Sequence, residues 1–151
     1  MSTAAIQAAR SPAVNATVGS TSPRGTLRVV AARLDEVARP GDLLGRWGGE
    51  EFLVVLPETG PEEAAAMGER TRRAIAAAPV PLADGPLAVT TSVGVASGAE
   101  DGWECLVRRA DTGLYAAKEG GRDRVVTGPP PELPAGSRSF TLEGQHAARY
   151  R

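Results

Sequence analysis

The sequence predicts an α/β fold, in the form of an α+β sandwich whose helices cover a mainly antiparallel sheet. Helix-spaced apolar residues alternate along the chain with short strand-like runs, which gives the order α-β-β-α-β-α-β. The first two strands are close enough to form a hairpin. An apolar content of 42% supports a core, but aromatics at 4% mean that Ala, Val and Leu must build it.

Composition divides the 151 residues into three segments. Residues 1–24 are rich in Ala, Ser and Thr with Pro and Gly interruptions, so we expect a disordered or weakly ordered segment, with at most a weak strand over 13–18. Residues 25–127 carry the globular pattern. Residues 128–151 open on Gly-Pro-Pro-Pro and bury too little apolar surface to offset the entropy of ordering, which predicts a disordered tail.

The globular segment begins with an amphipathic helix and a hairpin. Apolar residues recur at helical spacing over 27–37. The helix should end near Arg39, because Pro40 disfavours helical backbone at the residue before it. Runs 43–47 and 52–56 then flank a pair of glycines, the pattern of a β-hairpin.

A helix, a strand, a helix and a short strand complete the segment. Pro61 with two following acids marks the start of the second helix. Residues 88–96 alternate valines or threonine with smaller residues, which predicts a strand. Asp101 can cap the third helix, Gly120-Gly121 stop it, and 125–126 suggest a last strand.

Charge and rare residues exclude several function classes. A net charge of −1 gives no electrostatic case for a nucleic acid or an anionic membrane as partner, and no apolar run approaches the ~20 residues of a membrane span. The single Cys105 cannot form an internal disulfide, which fits a reducing compartment, so we expect a cytoplasmic location. The only histidine, His146, lies in the tail, so histidine-dependent zinc or triad chemistry is not expected.

The hairpin carries two adjacent glycines and two adjacent carboxylates, Gly48-Gly49-Glu50-Glu51. Taken alone, this pattern favours an ordinary turn with exposed glutamates. The alternative is a phosphate and metal site, since magnesium is usually held by one or two carboxylates plus substrate phosphates, and glycine lets a ligand approach the backbone. Both glutamates can serve one site only if Glu50 belongs to the turn, because adjacent strand residues point to opposite faces.

With its flanks, Arg46-Trp47-Gly48-Gly49-Glu50-Glu51-Phe52 resembles the signature of the GGDEF family of diguanylate cyclases, in its GGEEF form. Arg39-Pro40-Gly41-Asp42 stands at the spacing of that family's RxxD inhibitory site, which binds cyclic di-GMP. Arg70 falls where the family has a second arginine for this ligand, whereas Arg72 and Arg73 are expected on a solvated helix face.

The resemblance runs from about Leu27 to Val126. It includes a core strand over 91–96, in which Ser92 and Gly94 are expected to be packing residues. It also includes a last helix over 110–118 followed by a Lys-x-x-Gly-Arg element.

The resemblance implies a nucleotidyl-cyclase-like palm that condenses two GTP into cyclic di-GMP with release of pyrophosphate. Activity would require a homodimer with one GTP held by each domain, and Mg²⁺ as cofactor. The implied site residues are Glu50 and Glu51 for catalysis and metal, Gly48, Gly49, Lys118 and Arg122 for substrate, and Arg39, Asp42 and Arg70 for inhibitory cyclic di-GMP.

The resemblance fails before Leu27. Family members open with a strand that carries an Asp-x-Asp metal element, but residues 1–24 contain no acidic residue. Counting back from Arg39, the guanine-reading Asp of the family falls at Arg24. We therefore expect the first strand to be missing, as in an N-terminally truncated domain.

Three hypotheses follow from this pattern. The first is a working cyclase that obtains the strand from another chain or from its own N-terminal segment. The second is a non-catalytic module that binds cyclic di-GMP through Arg39, Asp42 and Arg70. The third is a fragment with no independent function. The acid-free segment weighs against catalysis by this chain alone, and the retained RxxD motif favours binding.

Overall fold

The computed structural model of the chain describes residues 2–7, 23–98 and 102–130. Within them, five strands and three helices follow one another along the chain. The strands are β1 (Ser2–Gln7), β2 (Leu43–Gly48), β3 (Glu51–Leu56), β4 (Ser92–Ser97) and β5 (Val125–Thr127). The helices are α1 (Pro23–Val37), α2 (Pro61–Ala76) and α3 (Trp103–Glu119). No helix of this described part is long and apolar enough to cross a membrane.

The strands form one sheet in the order β2-β3-β1-β4-β5. β1 lies between β3 and β4 and pairs antiparallel with both, and β2 pairs antiparallel with β3. Only the β4–β5 pair is parallel. The predicted fold class, with helices over a mainly antiparallel sheet, is therefore confirmed.

The expectation that the first strand is missing is wrong, because β1 fills the centre of the sheet. Its six residues pair along their whole length with β3 on one side and β4 on the other. The sequence Ser-Thr-Ala-Ala-Ile-Gln has neither alternation nor many β-branched residues, so local preference did not reveal it. The weak strand predicted over 13–18 and the tail beyond residue 130 lie outside the described residues.

Helices cover both faces of the sheet. α1 and α2 share the larger core with one face, and its fully buried side chains include Leu34, Leu56, Met67 and Val93. α3 packs on the other face, where Leu106 contacts the smaller core.

α3 approaches the sheet so closely that only glycine fits beneath it. A Cβ at Gly94 would lie 2.0 Å from the carbonyl oxygen of Ala110 and 2.4 Å from the amide nitrogen of Leu114. Ser92, on the same strand, is fully buried. Both residues therefore pack inside the molecule, as the sequence predicted.

The register places two groups of loops at opposite ends of the sheet. At the hairpin end, Gln7 lies between Glu51 and Ser92, and β5 begins beside the start of β4. At the opposite end, β2 begins and β3 ends, since Leu43 pairs with Val55. α2 starts just after this opposite end and its 16 residues run back along the sheet.

Candidate functional site

The β2–β3 hairpin is shaped by its glycines and by Arg46. Gly49 has a positive φ of 47°, and the register shifts between Arg46 and Gly48, which marks a bulge at Trp47. The guanidinium of Arg46 donates to the carbonyl oxygen of Gly49 from Nε at 3.0 Å and from Nη2 at 2.5 Å. The turn is therefore fixed by the chain itself, with Gly48 and Gly49 exposed.

The two glutamates occupy different backbone positions at this turn. Glu50 is a turn residue and Glu51 is the first residue of β3, and both are half-buried. This satisfies the condition for both carboxylates to serve one site, since Glu50 is not bound by the alternation of the strand.

The described residues do not supply the donors of a resident metal site. No three carboxylate, thiol or imidazole groups converge anywhere in residues 2–7, 23–98 and 102–130. The end of β1 lies beside Glu51, but its last residue is Gln7, and Ala8-Ala9-Arg10 follow in the sequence. The sequence thus supplies no third carboxylate from the central strand beside Glu50 and Glu51, so a magnesium ion at this turn would need phosphate oxygens of a bound nucleotide as its further ligands.

Lys118 and Arg122 lie at the same end of the sheet as the hairpin. Lys118 is in the last turn of α3, and Arg122 follows in the connection to β5 with a positive φ of 62°. The Arg122 amide donates to the Ala117 carbonyl at 2.9 Å, which holds the connection against the helix end. Three strand spacings, about 14 Å, separate β5 from β3, so these cations and the hairpin flank the ends of β1 and β4.

An ion-pair cluster on α2 braces this connection. Arg72 donates to Asp123 at 2.8 Å and forks onto Glu69 at 2.9 and 2.8 Å, and Arg73 also donates to Glu69. The expectation of a solvated helix face is wrong for Arg72, whose side chain is 22% exposed, and right for Arg73, at 74%. The hydrogen bond from Arg72 holds the pKa of Glu69 at about 2, against an ordinary value of 4.5.

Arg39 and Asp42 lie together at the opposite end of the sheet. The backbone N–H of Arg39 donates to Oδ2 of Asp42 at 2.8 Å, and the Asp42 side chain is only 3% exposed. The Arg39 guanidinium donates from Nη2 to Thr59 Oγ1 at 2.8 Å and from Nη1 to Glu63 at 2.5 Å. The RxxD motif therefore forms one compact polar cluster.

Arg70 lies on the same stripe of α2 as Glu63, because residues i, i+4 and i+7 share a helix face. Its guanidinium reaches back to the sulfur of Met67 at 3.1 Å, toward the N-terminal end of the helix and the cluster around Arg39. The Arg70 side chain is exposed and its charge is accessible to a ligand, about 10 Å along α2 from Glu63.

Comparison with known proteins decides the family. The model for "Diguanylate cyclase, GGDEF domain" matches residues 6–124. The chain belongs to the GGDEF family. It is 40% identical over 114 residues to diguanylate cyclase DgcP of Pseudomonas aeruginosa, a match that covers 74% of this chain and 17% of that protein. It is 41% identical over 117 residues to response regulator PleD of Caulobacter vibrioides, covering 75% and 26%. The chain thus spans about a quarter or less of the length of these relatives.

Solved structures agree with this assignment. Diguanylate cyclase SiaD of Pseudomonas aeruginosa, in complex with its activator SiaC, superposes with a TM-score of 0.75 at 36% identity, covering 83% of this chain and 49% of that one. The GGDEF domain of DgcB from Caulobacter crescentus, in complex with c-di-GMP, gives 0.73 at 28%, covering 83% and 76%. The active GGEEF domain of a diguanylate cyclase from Vibrio cholerae gives 0.74 at 27%, covering 86% and 83%.

Sequence reasoning missed several residues that shape this GGDEF domain. Thr59 and Glu63 hold Arg39, and nothing in their spacing from it indicates this, because the contact depends on how α2 returns over the sheet. The pair of Arg72 and Asp123 joins residues 51 positions apart and is equally invisible. The contact of Arg72 with Glu69 was detectable, since i, i+3 acid–base spacing favours a helical ion pair.

Proposed function

We propose that this GGDEF domain binds cyclic di-GMP through Arg39, Asp42 and Arg70 and does not complete the family's condensation of GTP by itself. The single observation that carries this proposal is the central strand. β1 is present and ends beside Glu51, yet the segment contributes no carboxylate there. The hairpin therefore faces a strand end without the acids that a metal-assisted phosphoryl transfer would use.

The family's reaction is attack of the 3′-hydroxyl of one GTP on the α-phosphate of another, with pyrophosphate leaving. In this chain Gly48 and Gly49 would line the nucleotide, and Lys118 and Arg122 would hold its phosphates. Two domains would have to face each other, each with one GTP, which implies a two-fold homodimer. These parts lie at the hairpin end and support nucleotide contact, while the acidic pair that the family's first strand supplies to the metal is absent from residues 1–24. We propose a cytoplasmic location for this domain.

Binding of the cyclic dinucleotide has a more complete set of groups. Arginine forks onto phosphate or a guanine edge are charge-assisted bonds worth roughly 1.5–3 kcal/mol each, and a carboxylate accepts from guanine N–H groups. The backbone N–H of Arg39 already orients Asp42, so this side chain loses little conformational entropy when the ligand binds. The solved complex of the related DgcB domain contains c-di-GMP, which supports this ligand class for the present chain.

Calorimetric titration tests the binding function. Cyclic di-GMP should bind more tightly than GTP, and Arg39→Ala should weaken its binding by about tenfold to a hundredfold. Arg73→Ala is the matched control, because Arg73 is highly exposed and lies outside the Arg39 cluster. Equal affinity for cyclic di-GMP in the unaltered chain, Arg39→Ala and Arg73→Ala would contradict the proposal. Tighter binding of GTP than of cyclic di-GMP would also contradict it.

A second candidate is a working cyclase. Two observations favour this function: Glu50 lies in the turn, and Lys118 and Arg122 lie at the same end of the sheet. Incubation with magnesium and GTP, followed by chromatography for cyclic di-GMP, distinguishes the cyclase from the binding module. We expect no product; product that disappears in Glu50→Ala would establish the cyclase instead.

A further inference from the structure

We propose that Glu63 is an internal competitor for the cyclic dinucleotide, and that the ligand must displace its carboxylate from Arg39 to bind. This inference rests on the proposed function and concerns how tightly the same site binds. It assigns a specificity and affinity role to a residue outside the RxxD motif.

The hydrogen-bond partners of Arg39 carry the argument. One guanidinium nitrogen, Nη1, is taken by Glu63 at 2.5 Å, and Nη2 donates to Thr59 at 2.8 Å. The third, Nε, lies 3.8 Å from Asp42. A phosphate or guanine edge that needs two parallel donors of an arginine fork therefore finds each of them already facing an oxygen.

Burial shows which of the three partners can leave. Asp42 has a side chain 3% exposed, and Thr59 is 5% exposed, with its own hydroxyl also donating to Pro57 at 2.9 Å. The Glu63 side chain is 51% exposed, the most of the three, so it can rotate into water at the least cost in packing. Exposed ion pairs are weak, so a bound phosphate can replace this one.

Charge adds to the competition. Glu63 contacts Arg39 and lies on the same α2 stripe as Arg70, about two turns or 10 Å earlier, so its carboxylate is on the helix face that carries the second arginine proposed for the ligand. An anionic ligand there meets a fixed negative charge until Glu63 moves away. Removing that charge should therefore release Arg39 and also reduce repulsion.

The test compares affinities for cyclic di-GMP in the full chain by calorimetry at low ionic strength. Glu63→Gln keeps the size of the side chain and should tighten binding about threefold to tenfold, equivalent to about 0.6–1.4 kcal/mol. Glu62→Gln is the matched control, since it removes the same charge from the neighbouring residue and leaves the Arg39 contact intact. It should change the affinity by less than about twofold.

A double variant shows whether Glu63 acts through Arg39. In an Arg39→Ala background, Glu63→Gln should give only the smaller gain that comes from reduced repulsion, since the competed donor is gone. If Glu63→Gln leaves cyclic di-GMP binding unchanged or weakens it, the competitor role is overturned. The proposed function then still stands, because the glutamate would orient Arg39 for the ligand. Absence of binding by the unaltered chain and every variant would overturn the proposed function and this inference together.

Discussion

Arg72 on α2 donates a 2.8 Å hydrogen bond to Asp123, in the connection between α3 and β5. The two residues are 51 positions apart, and their contact ties the C-terminal half of α2 to the turn that presents Arg122. The Asp123 carboxylate forms one side of an ion pair with Arg72, while both Arg122 and Asp123 adopt positive φ. The turn that carries Arg122 is thus held in an uncommon backbone conformation by a contact from α2.

Arg72→Ala should lower the free energy of unfolding by about 1 kcal/mol, because it removes hydrogen bonds to two carboxylates from a side chain that is only 22% exposed. Arg73→Ala, its exposed neighbour, should cost less than about 0.5 kcal/mol. Urea denaturation of the three proteins measures both values. Equal effects of the two substitutions would show that the Asp123 contact contributes nothing.

Acid should remove part of this stabilisation. The hydrogen bond from Arg72 favours the ionised form of Glu69 in the folded state and holds its pKa at about 2, below the ordinary value of 4.5. A carboxyl group whose pKa is lower in the folded state stabilises the fold at pH values above its unfolded pKa. The contribution of Glu69 to stability should therefore be complete above pH 4.5 and vanish as the pH falls toward 2. The effect should be modest, since the Glu69 side chain is 35% exposed.

Melting temperatures of the unaltered chain and of Glu69→Gln check this pH dependence. The unaltered chain should melt higher at neutral pH, and the difference should shrink continuously on acidification. A difference that is constant from neutral pH to about pH 2 would contradict the assignment to Glu69.

How far the sequence predicts this fold depends on the element. The helices and the hairpin were predicted within a few residues, because α2 and α3 combine apolar stripes with Pro or Gly at their ends. β1 was not, because a strand paired on both sides takes its stability from its neighbours and Ser-Thr-Ala-Ala-Ile-Gln carries little preference of its own.

The candidate site shows the same division. Motif spacing located the glycine turn, the RxxD pair and the basic helix end, all of which are local in sequence. Two hydrogen-bond partners near these motifs come from α2. Glu63 accepts from Arg39, and Arg72 donates to Asp123. Such contacts follow from how the helix lies on the sheet, which residue spacing does not encode.

Gly94→Ala should destabilise the domain by about 1–3 kcal/mol or prevent folding, because the added methyl would collide with the backbone of α3 at Ala110. Gly45→Ala is the control: it also replaces a strand glycine, but its Cβ would meet nothing within 4 Å. Thermal denaturation compares the two. A Gly94→Ala protein as stable as Gly45→Ala would mean that α3 can shift away from the sheet.

Thr71→Val should raise the free energy of unfolding by about 1 kcal/mol. Thr71 is fully buried on α2, and its hydroxyl oxygen has no hydrogen-bond partner there. Valine keeps the shape and removes that unsatisfied group. Thr112→Val provides the comparison, because Thr112 is exposed and its hydroxyl bonds the Arg108 carbonyl at 3.0 Å. A loss of stability in Thr71→Val would show that the hydroxyl is satisfied in solution.

The central position of β1 has a consequence for folding kinetics. Its residues pair with β3 and with β4, so Gln7 must meet both Glu51 and Ser92, which lie far along the chain. Both ladders therefore close long loops. Contacts of such sequence separation slow the transition to the native state. Until they form, β3 and β4 each present an unpaired strand edge, and a chain in that partly folded condition is open to aggregation. Refolding yield should therefore fall as protein concentration rises, whatever the stability of the finished domain.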